Sequence, residues 1–280
     1  MKQNDFLQNW RKKALDKLKN QGRDEYLLEI QLLIEHCTGI NSAKQLWFDK
    51  ELNNAELERL NYSLQELLNN KPLAYILGEK DFYDIKLHVN QNCLIPRPET
   101  ELLVDTVLAL TNKNKVVNIA DLGTGSGAIA ITLAKHLPHS QITAIDISVP
   151  ALEIASRNAQ LNGISNISFH LGNWNDNLSD EFDFIVSNPP YIAEDDPHLA
   201  NLSFEPQQAL IAKNNGFADI FYLIDNCTLN LKKDSYLIIE HGYEQGQEIR
   251  KYAENNGNYY NIKTLRDLAN NERITLMQKK

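Results

Sequence analysis

The four residues Asn-Pro-Pro-Tyr at 188–191 carry the side chains best suited to chemistry on a planar amide or amino group. They follow the apolar run 182–187, which we interpret as a buried strand. Neither proline can donate a hydrogen bond to a neighbouring strand, so the strand ends there. Ligands of open α/β sheets bind at the carboxyl ends of strands, where Asn188 can bind a planar amide and Tyr191 can stack on it. The competing interpretation is an ordinary turn, because Asn-Pro often marks one.

A glycine-rich turn is the second feature with an evident chemical use. It lies between a predicted strand at 116–121 and a predicted helix at 128–134. Glycines let the backbone approach a ligand closely, and a helix start offers unpaired N–H groups. A second predicted strand ends in Asp146, 19 residues after Gly127, where a carboxylate can bind both hydroxyls of a ribose. With Asn188 from the strand end above, the candidate cofactor-binding residues are Asp121, Gly123, Thr124, Gly125, Ser126, Gly127 and Asp146.

The glycines alone leave the cofactor open. Gly123, Gly125 and Ala128 also fit the looser dinucleotide fingerprint that allows alanine at the third position, so NAD competes with S-adenosylmethionine. A carboxylate at Asp121 would repel a pyrophosphate but attract a sulfonium or an amino group. The Asn-Pro-Pro-Tyr run also favours S-adenosylmethionine, since a dehydrogenase has no obvious use for it.

Both motifs resemble those of class I methyltransferases that act on planar nitrogen. Further segments resemble the protein-glutamine methyltransferase family that modifies peptide chain release factors. The resemblance runs from roughly Pro72 to Leu276, and Asn270 stands where the family usually has glycine. The additional segments that carry it are residues 94–101, Phe204-Glu205-Pro206, Ala209-Leu210 and Glu240-His241-Gly242.

The resemblance implies transfer of a methyl group from S-adenosylmethionine to the side-chain amide nitrogen of a glutamine, in the GGQ motif of release factors. It implies a catalytic role for Asn188, Pro189 and Tyr191, and it places Trp174 against the adenine. The candidate substrate-binding residues are Asn188, Pro189, Pro190, Tyr191, Arg97 and Glu99, with lesser candidates in Glu205 and His241. No metal is expected.

An amide nitrogen is a poor nucleophile because its lone pair is delocalised into the carbonyl. Methyl transfer from a sulfonium is an in-line displacement, so alignment is the main contribution a protein can make. The side-chain oxygen of Asn188 and the carbonyl of Pro189 could each accept one amide hydrogen. That would fix the nitrogen and stabilise the positive charge that develops on it.

We predict an α/β fold: a doubly wound, seven-stranded class I methyltransferase sheet with a small N-terminal helical bundle and a linking hairpin. Apolar residues recur at helical spacing in residues 1–75, which we interpret as a helical domain that docks a protein substrate or, alternatively, serves packing or solubility. Residues 76–95 form the hairpin, with a strand at 82–89, and residues 96–280 form the methyltransferase domain. The resemblance implies that the last strand is inserted antiparallel.

The charge of the chain limits the classes of partner that we expect. The chain has 28 basic and 37 acidic residues, a net charge of −9, and lacks the basic stripe that nucleic-acid binders usually carry. An adenine-specific nucleic-acid methyltransferase stays the alternative, because an adenine amino group is also planar nitrogen; a non-catalytic scaffold on the same fold is a further one. We expect release factors as the protein substrate, and neither stable nucleic-acid binding nor membrane association. We also expect a monomer in the cytoplasm, with reduced thiols at Cys37, Cys93 and Cys227.

Overall fold

The computed structural model describes residues 6–280 apart from residues 24, 46–48, 112–114 and 177. The chain divides into two compact units, Met1–Gly78 and Glu79–Lys280. Among the described residues, no helix combines the length and apolar character needed to cross a membrane.

The N-terminal unit is helical, as its periodicity predicts. Trp10, Ala14 and Leu18 are buried on one face of the first helix, and Leu60, Leu64 and Leu67 are buried on the fourth. The prediction is wrong for Leu27, which is exposed because Tyr26, Ile30, Leu33 and Ile34 form the inward face of the second helix. The helices of this unit are α1 (Leu7–Asn20), α2 (Tyr26–Thr38), α3 (Ser42–Gln45), α4 (Asn54–Leu68) and α5 (Leu73–Leu77).

A β-hairpin opens the C-terminal unit. Its strands are β1 (Glu79–Phe82) and β2 (Ile85–His88), so the predicted continuous strand at 82–89 is wrong. Tyr83 has φ 55° and begins a turn inside the alternating run. Asn158 binds the hairpin through both backbone groups of His88, at 2.7 Å from the amide and 3.0 Å from the carbonyl. The hairpin is therefore fastened within the C-terminal unit.

The remaining strands form one seven-stranded sheet in the order β5-β4-β3-β6-β7-β9-β8. Strands β3 to β7 are parallel, and β9 lies antiparallel between β7 and β8. The expected doubly wound sheet and its antiparallel inserted strand are confirmed. The strands are β3 (Asn118–Leu122), β4 (Gln141–Asp146), β5 (Ile167–Leu171), β6 (Phe182–Ser187), β7 (Leu231–Glu240), β8 (Tyr259–Arg266) and β9 (Glu272–Lys279).

Helices cover the sheet. Leu122, Ile185 and Ile239 are fully buried in a core that extends to Ile220 and Ile249 on the flanking helices. The predicted helix at 217–231 is wrong in its last five residues, where Cys227–Asn230 form a 3₁₀ turn and Leu231 begins β7. The last helix was not predicted, since few apolar residues mark its face. These helices are α6 (Glu101–Leu110), α7 (Ala128–His136), α8 (Val149–Leu161), α9 (Ala218–Asn226) and α10 (Gly246–Asn256).

The turn between β8 and β9 contains Asn270, at the position where the family usually has glycine. Asn270 has φ 66°, in the left-handed region that asparagine tolerates better than most residues. Its N–H donates to the carbonyl of Asp267 at 2.9 Å, and Asp267 N–H donates to the carbonyl of Asn271 at 2.9 Å. Asparagine therefore forms the tight turn without glycine.

Candidate active site

The glycine-rich turn connects β3 to α7 and lies against the end of β4. The N–H groups of Gly123 and Thr124 both donate to the carbonyl of Ile145, each at 2.9 Å. Gly123 has φ +77°, and a Cβ there would approach the Trp174 ring to 3.2 Å. Glycine is thus required both for the backbone conformation and for the close contact with Trp174.

Asp146 faces a large cavity from the end of β4. Its Oδ2 accepts the Gly125 N–H at 2.8 Å, and its Oδ1 accepts the Ser148 N–H at 2.9 Å. Burial raises the pKa of this carboxyl, and the backbone donors, including that of Ile147, oppose the rise. Each oxygen keeps acceptor capacity toward the cavity, as binding two ribose hydroxyls requires.

Asp121 lies behind the glycine turn and does not line the cavity. Its Oδ2 accepts from the Thr124 hydroxyl at 2.6 Å and from the Ala130 N–H at 3.2 Å. Its Oδ1 has no hydrogen-bond partner among the described residues, and burial raises the pKa of this carboxyl to about 7. The observed role of Asp121 is to tie the turn to the start of α7.

The large cavity has a volume of about 440 Å³ and opens at the carboxyl ends of the parallel strands. Of the predicted cofactor residues, it is lined by Gly123, Gly125, Asp146, Trp174 and Asn188. Thr124, Ser126 and Gly127 are not among its lining residues. A Cβ at Gly127 would come within 2.7 Å of the Ile131 side chain, so this glycine serves the packing of α7.

A smaller cavity of about 280 Å³ adjoins the first. Leu94, Asn188 and Ala209 line both cavities. Arg97 and Tyr191, two predicted substrate-binding residues, line only the smaller one. Pro190 lines the larger cavity. Pro189, between Asn188 and Pro190 in the sequence, is buried. Asn188 therefore stands where two adjoining cavities meet.

The side chain of Asn188 is held by a hydrogen bond on the side that faces Thr100. Its Nδ2 donates to the Thr100 hydroxyl at 3.2 Å. Glu240 is fully buried at the end of β7, beside the Thr100 hydroxyl and the Asn188 amide, and both groups lower the pKa of its carboxyl. Burial raises the pKa of Glu240 to about 7 against these groups and the charge of Arg273.

The loop after β6 is braced by its neighbours. The Tyr191 carbonyl accepts from Gln245 Nε2 at 3.1 Å. Gly216 has φ +86°, and a Cβ there would lie 2.2 Å from the same carbonyl oxygen. Ile192 forms a parallel bridge to Ile211. Burial raises the pKa of Tyr191, so its phenol stays neutral and suits a stacking role.

Arg97 pairs with Glu205, whose other oxygen accepts the Ile95 N–H at 3.1 Å. This pair holds the segment that carries Leu94 and Arg97 against both cavities. Glu99 is half-buried and lines neither cavity.

His241 is buried away from both cavities. Its Nδ1 lies 2.8 Å from the Gly242 carbonyl and its Nε2 lies 2.9 Å from Thr275 Oγ1. Burial lowers its pKa to about 4, so the ring is neutral and structural.

Sequence reasoning missed residues that carry no distinctive chemistry. Leu94 and Ala209 appeared only as parts of family segments, and Ile147 and Ser148 follow Asp146 without a motif of their own. Ile147 is 55% exposed beside the cavity, which only the structure shows. The other unpredicted residues lining the large cavity are Asn92, Cys93, Ala151, Gly172, Asn173, Pro206, Gln208, Ile211, Ala212, Lys213, Ala218 and Asp219.

Two family profiles match the chain. One, a methyltransferase domain, covers residues 113–279, and the other, the PrmC N-terminal domain, covers residues 9–78. A methyltransferase from Pyrococcus furiosus shares the fold, with a TM-score of 0.54 and 16% identity over 79% of this chain and 98% of that one. A 16S rRNA methyltransferase from T. Thermophilus, in complex with AdoMet and guanosine, gives a TM-score of 0.53 and 12% identity over 72% of this chain and 50% of that one. The class I methyltransferase fold is thereby confirmed.

Curated relatives match over almost the whole chain. The release factor glutamine methyltransferase of Vibrio cholerae serotype O1 is 41% identical, covering 96% of this chain and 95% of that protein. The protein of the same description from Aliivibrio fischeri is 39% identical, covering 95% of each chain. That of Escherichia coli strain K12 is 37% identical, covering 96% and 97%. This chain therefore belongs to the release factor glutamine methyltransferase family.

Proposed function

We propose that the chain transfers a methyl group from S-adenosylmethionine to the side-chain amide nitrogen of a glutamine in peptide chain release factors, the glutamine of the GGQ motif. One observation carries the proposal: two adjoining cavities meet at Asn188. The larger one contains the glycine turn and Asp146, as a methyl donor with an adenosine moiety requires. The smaller one contains Arg97 and Tyr191, at the place where an amide acceptor would enter.

The residues of the larger cavity fit S-adenosylmethionine. Asp146 would bind the ribose hydroxyls, while Trp174 and Ile147 would cover the adenine on apolar surface. The glycine turn allows the backbone to approach the ligand closely. When bound, S-adenosylmethionine supplies a methyl group on positively charged sulfur.

Asn188 would orient the acceptor. Because its Nδ2 donates to Thr100, its Oδ1 is the atom available to accept a hydrogen from a glutamine amide. Pro189, which follows it, would accept the second hydrogen through its backbone carbonyl. Two acceptors in the amide plane fix the nitrogen and gain strength as positive charge develops on it. The protonated N-methyl amide is strongly acidic, so no separate general base is needed before transfer.

The walls of the smaller cavity would hold the acceptor in place. Tyr191 offers a neutral aromatic ring to cover the amide plane and exclude water, and Pro190 stiffens the loop between it and Asn188. Arg97, held by Glu205, lines the same cavity and would contact the backbone around the glutamine. Glu99 lies close enough to influence the pKa of Tyr191, and we assign it to the rim of the substrate site.

We further infer that the N-terminal helical unit docks the release factor and that the enzyme acts as a cytoplasmic monomer without stable nucleic-acid binding. The net charge of −9 supports a protein substrate over a phosphate backbone. A docking role predicts that intact release factor is methylated with a higher kcat/KM than a short GGQ peptide.

A side-by-side methylation assay tests the function. The purified chain is given S-adenosylmethionine carrying a labelled methyl group, with release factor, DNA or tRNA as acceptor. We expect label in release factor alone, and none in a release factor whose GGQ glutamine is replaced by alanine. Label in DNA would favour the adenine-methyltransferase alternative, and label in the glutamine-free release factor would contradict the proposed acceptor.

A further inference from the structure

The shape of the Asn188 side chain does not determine which end of its amide faces the acceptor site. Its side chain carries a donor and an acceptor of nearly the same shape, and only one arrangement presents oxygen to the acceptor site. The surroundings must therefore decide which end of the amide faces the cavity. The groups that could decide lie behind it, at the start of α6 and at the end of β7.

Sheet register brings one of these groups beside Asn188. Ser187 of β6 pairs with Ile239 of β7, so Asn188 and Glu240 follow at neighbouring strand ends. Glu240 is 1% exposed, and its Oε2 has no hydrogen-bond partner among the described residues. Burying a carboxyl with an unpaired oxygen costs free energy, so the presence of Glu240 at this position indicates a role beyond packing.

Thr100 connects the two. It is buried where α6 begins, its N–H donates to the Arg97 carbonyl at 3.1 Å, and its hydroxyl oxygen accepts from Asn188 Nδ2 at 3.2 Å. A hydroxyl has a single hydrogen. If that hydrogen is donated to Glu240, the oxygen of Thr100 can only accept, and the end of Asn188 that faces it must be the NH₂.

We propose that Thr100 and Glu240 are positioning residues that fix the amide orientation of Asn188, so that its Oδ1 faces the methyl-accepting nitrogen. In the proposed arrangement the Asn188 NH₂ donates to Thr100, as observed, and the Thr100 hydroxyl in turn donates to the neighbouring carboxyl of Glu240. Without it, Asn188 can rotate and present NH₂ to the substrate amide, which then meets a donor where it needs an acceptor. The inference rests on the proposed function, because it concerns the same acceptor site.

The test replaces Thr100 with valine, which keeps the shape and removes the hydroxyl. We expect kcat for release factor to fall about 10-fold, the size of one lost hydrogen bond to a group that becomes charged. The affinity for S-adenosylmethionine should stay within about twofold, because Thr100 does not line the larger cavity. Thr100→Ser should restore kcat to within about threefold of the parent chain.

Thr106→Val is the matched control. Thr106 is buried on α6, the helix that Thr100 precedes, and its hydroxyl donates to the Leu102 carbonyl at 2.7 Å. It should leave kcat unchanged. Equal kcat for Thr100→Val and Thr106→Val would overturn the proposal.

A double-mutant cycle separates positioning from a general structural effect. If Thr100 acts through Asn188, Thr100→Val should have little further effect in an Asn188→Ala background, whereas independent effects would multiply. A full 10-fold loss in that background would also overturn the proposal. Should Thr100→Val fail to fold by thermal unfolding, Glu240→Met, which has a similar size and no carboxyl oxygens, takes its place in the cycle with the same expectation. If the parent chain itself binds S-adenosylmethionine but methylates no release factor, the proposed function fails first.

Discussion

Replacing Asn188 with alanine removes the side chain at the junction of the two cavities. Its oxygen is the acceptor we assign to the glutamine amide, and its NH₂ is already donated to Thr100 at 3.2 Å. The substitution therefore deletes one hydrogen bond to the substrate. The cofactor cavity keeps the glycine turn, Asp146 and Trp174.

The expected slowing of methyl transfer follows from the kind of hydrogen bond that Asn188→Ala removes. A hydrogen bond to a group that carries charge contributes about 1.5–3 kcal/mol, and here the charge develops only as the methyl group arrives. Since about 1.4 kcal/mol changes a rate tenfold, the expected slowing is about 10- to 150-fold. Removal of a donor from an oxyanion hole costs about 100-fold or more, which places the expectation near the upper end of that range.

Single-turnover methyl transfer to release factor, at saturating S-adenosylmethionine, measures this effect. Cofactor affinity from calorimetry on the same variant is the control, and we expect it to change by less than about threefold. A rate within about threefold of the parent chain would refute the assignment, because it corresponds to less than about 1 kcal/mol of barrier.

Asn188→Asp sharpens the same test. A carboxylate still accepts hydrogens from the substrate, but it loses the NH₂ that Thr100 receives and lies beside Glu240. Two neighbouring carboxyls disfavour joint ionisation, so residual activity should depend on pH in a way that the parent chain does not show. A rate equal to that of the parent chain at every pH would contradict the need for the NH₂ group.

Three further substitutions test other parts of the structure. Asp146→Ala should weaken S-adenosylmethionine binding by about 1–3 kcal/mol in calorimetry, and equal or tighter binding of NAD by the parent chain would contradict the cofactor site. Gly216→Ala places a Cβ 2.2 Å from the Tyr191 carbonyl oxygen and should lower the free energy of unfolding. Gly257→Ala is the control, because a Cβ there meets open space and should cost only ~1 kcal/mol. Equal losses of unfolding free energy in the two variants would refute the contact at Gly216. Burial raises the pKa of Asp121 and of Glu240 to about 7, so the folded chain holds protons that the unfolded chain has released. The free energy of unfolding should therefore fall as pH rises from about 4 to about 7, and Glu240→Gln should flatten that fall in denaturant titrations; an unchanged slope would contradict the burial of its charge.

Strand ends were predictable because apolar runs and their stops are local properties of the sequence. The run before Asn188 and the one ending in Asp146 coincide with β6 (Phe182–Ser187) and β4 (Gln141–Asp146). Parallel strands then bring their carboxyl ends to one edge of the sheet, so both residues were expected near one ligand. Two prolines and a terminal acid were sufficient signals for that inference.

Side-chain direction was less predictable. Asp121 was expected to face the cofactor from charge alone, whereas its carboxylate binds Thr124 and the Ala130 N–H behind the turn. Asp121 lies inside β3, one residue before its end, so the strand sets the direction of its side chain. Both faces of β3 are buried there, and alternation of apolar and polar residues could not indicate which face Asp121 takes. Whether Asp121 also attracts the cofactor stays a prediction.

The network behind Asn188 was not accessible to sequence reasoning at all. Glu240 adjoins it only because β7 lies next to β6 in a register that shifts between Phe182 and Phe184. Fifty-two positions separate them along the chain, and no local pattern encodes such a pairing. Thr100 lies in the segment 94–101, which resembles the family, but its hydroxyl gains a partner only when the start of α6 packs near the strand ends.

The buried carboxyls of Asp121 and Glu240 occupy equivalent positions in the sheet. Asp121 ends near the close of β3 and Glu240 ends β7, the two strands that flank β6. Each is fully buried, each keeps one oxygen without a partner among the described residues, and each lies behind a loop that lines a cavity. An apolar residue of similar size would stabilise the sheet more, because burying a carboxyl costs free energy that a few hydrogen bonds only partly offset. Their shared position behind the glycine turn and behind Asn188 therefore indicates that stability is given up here to hold the donor and acceptor sites in fixed geometry.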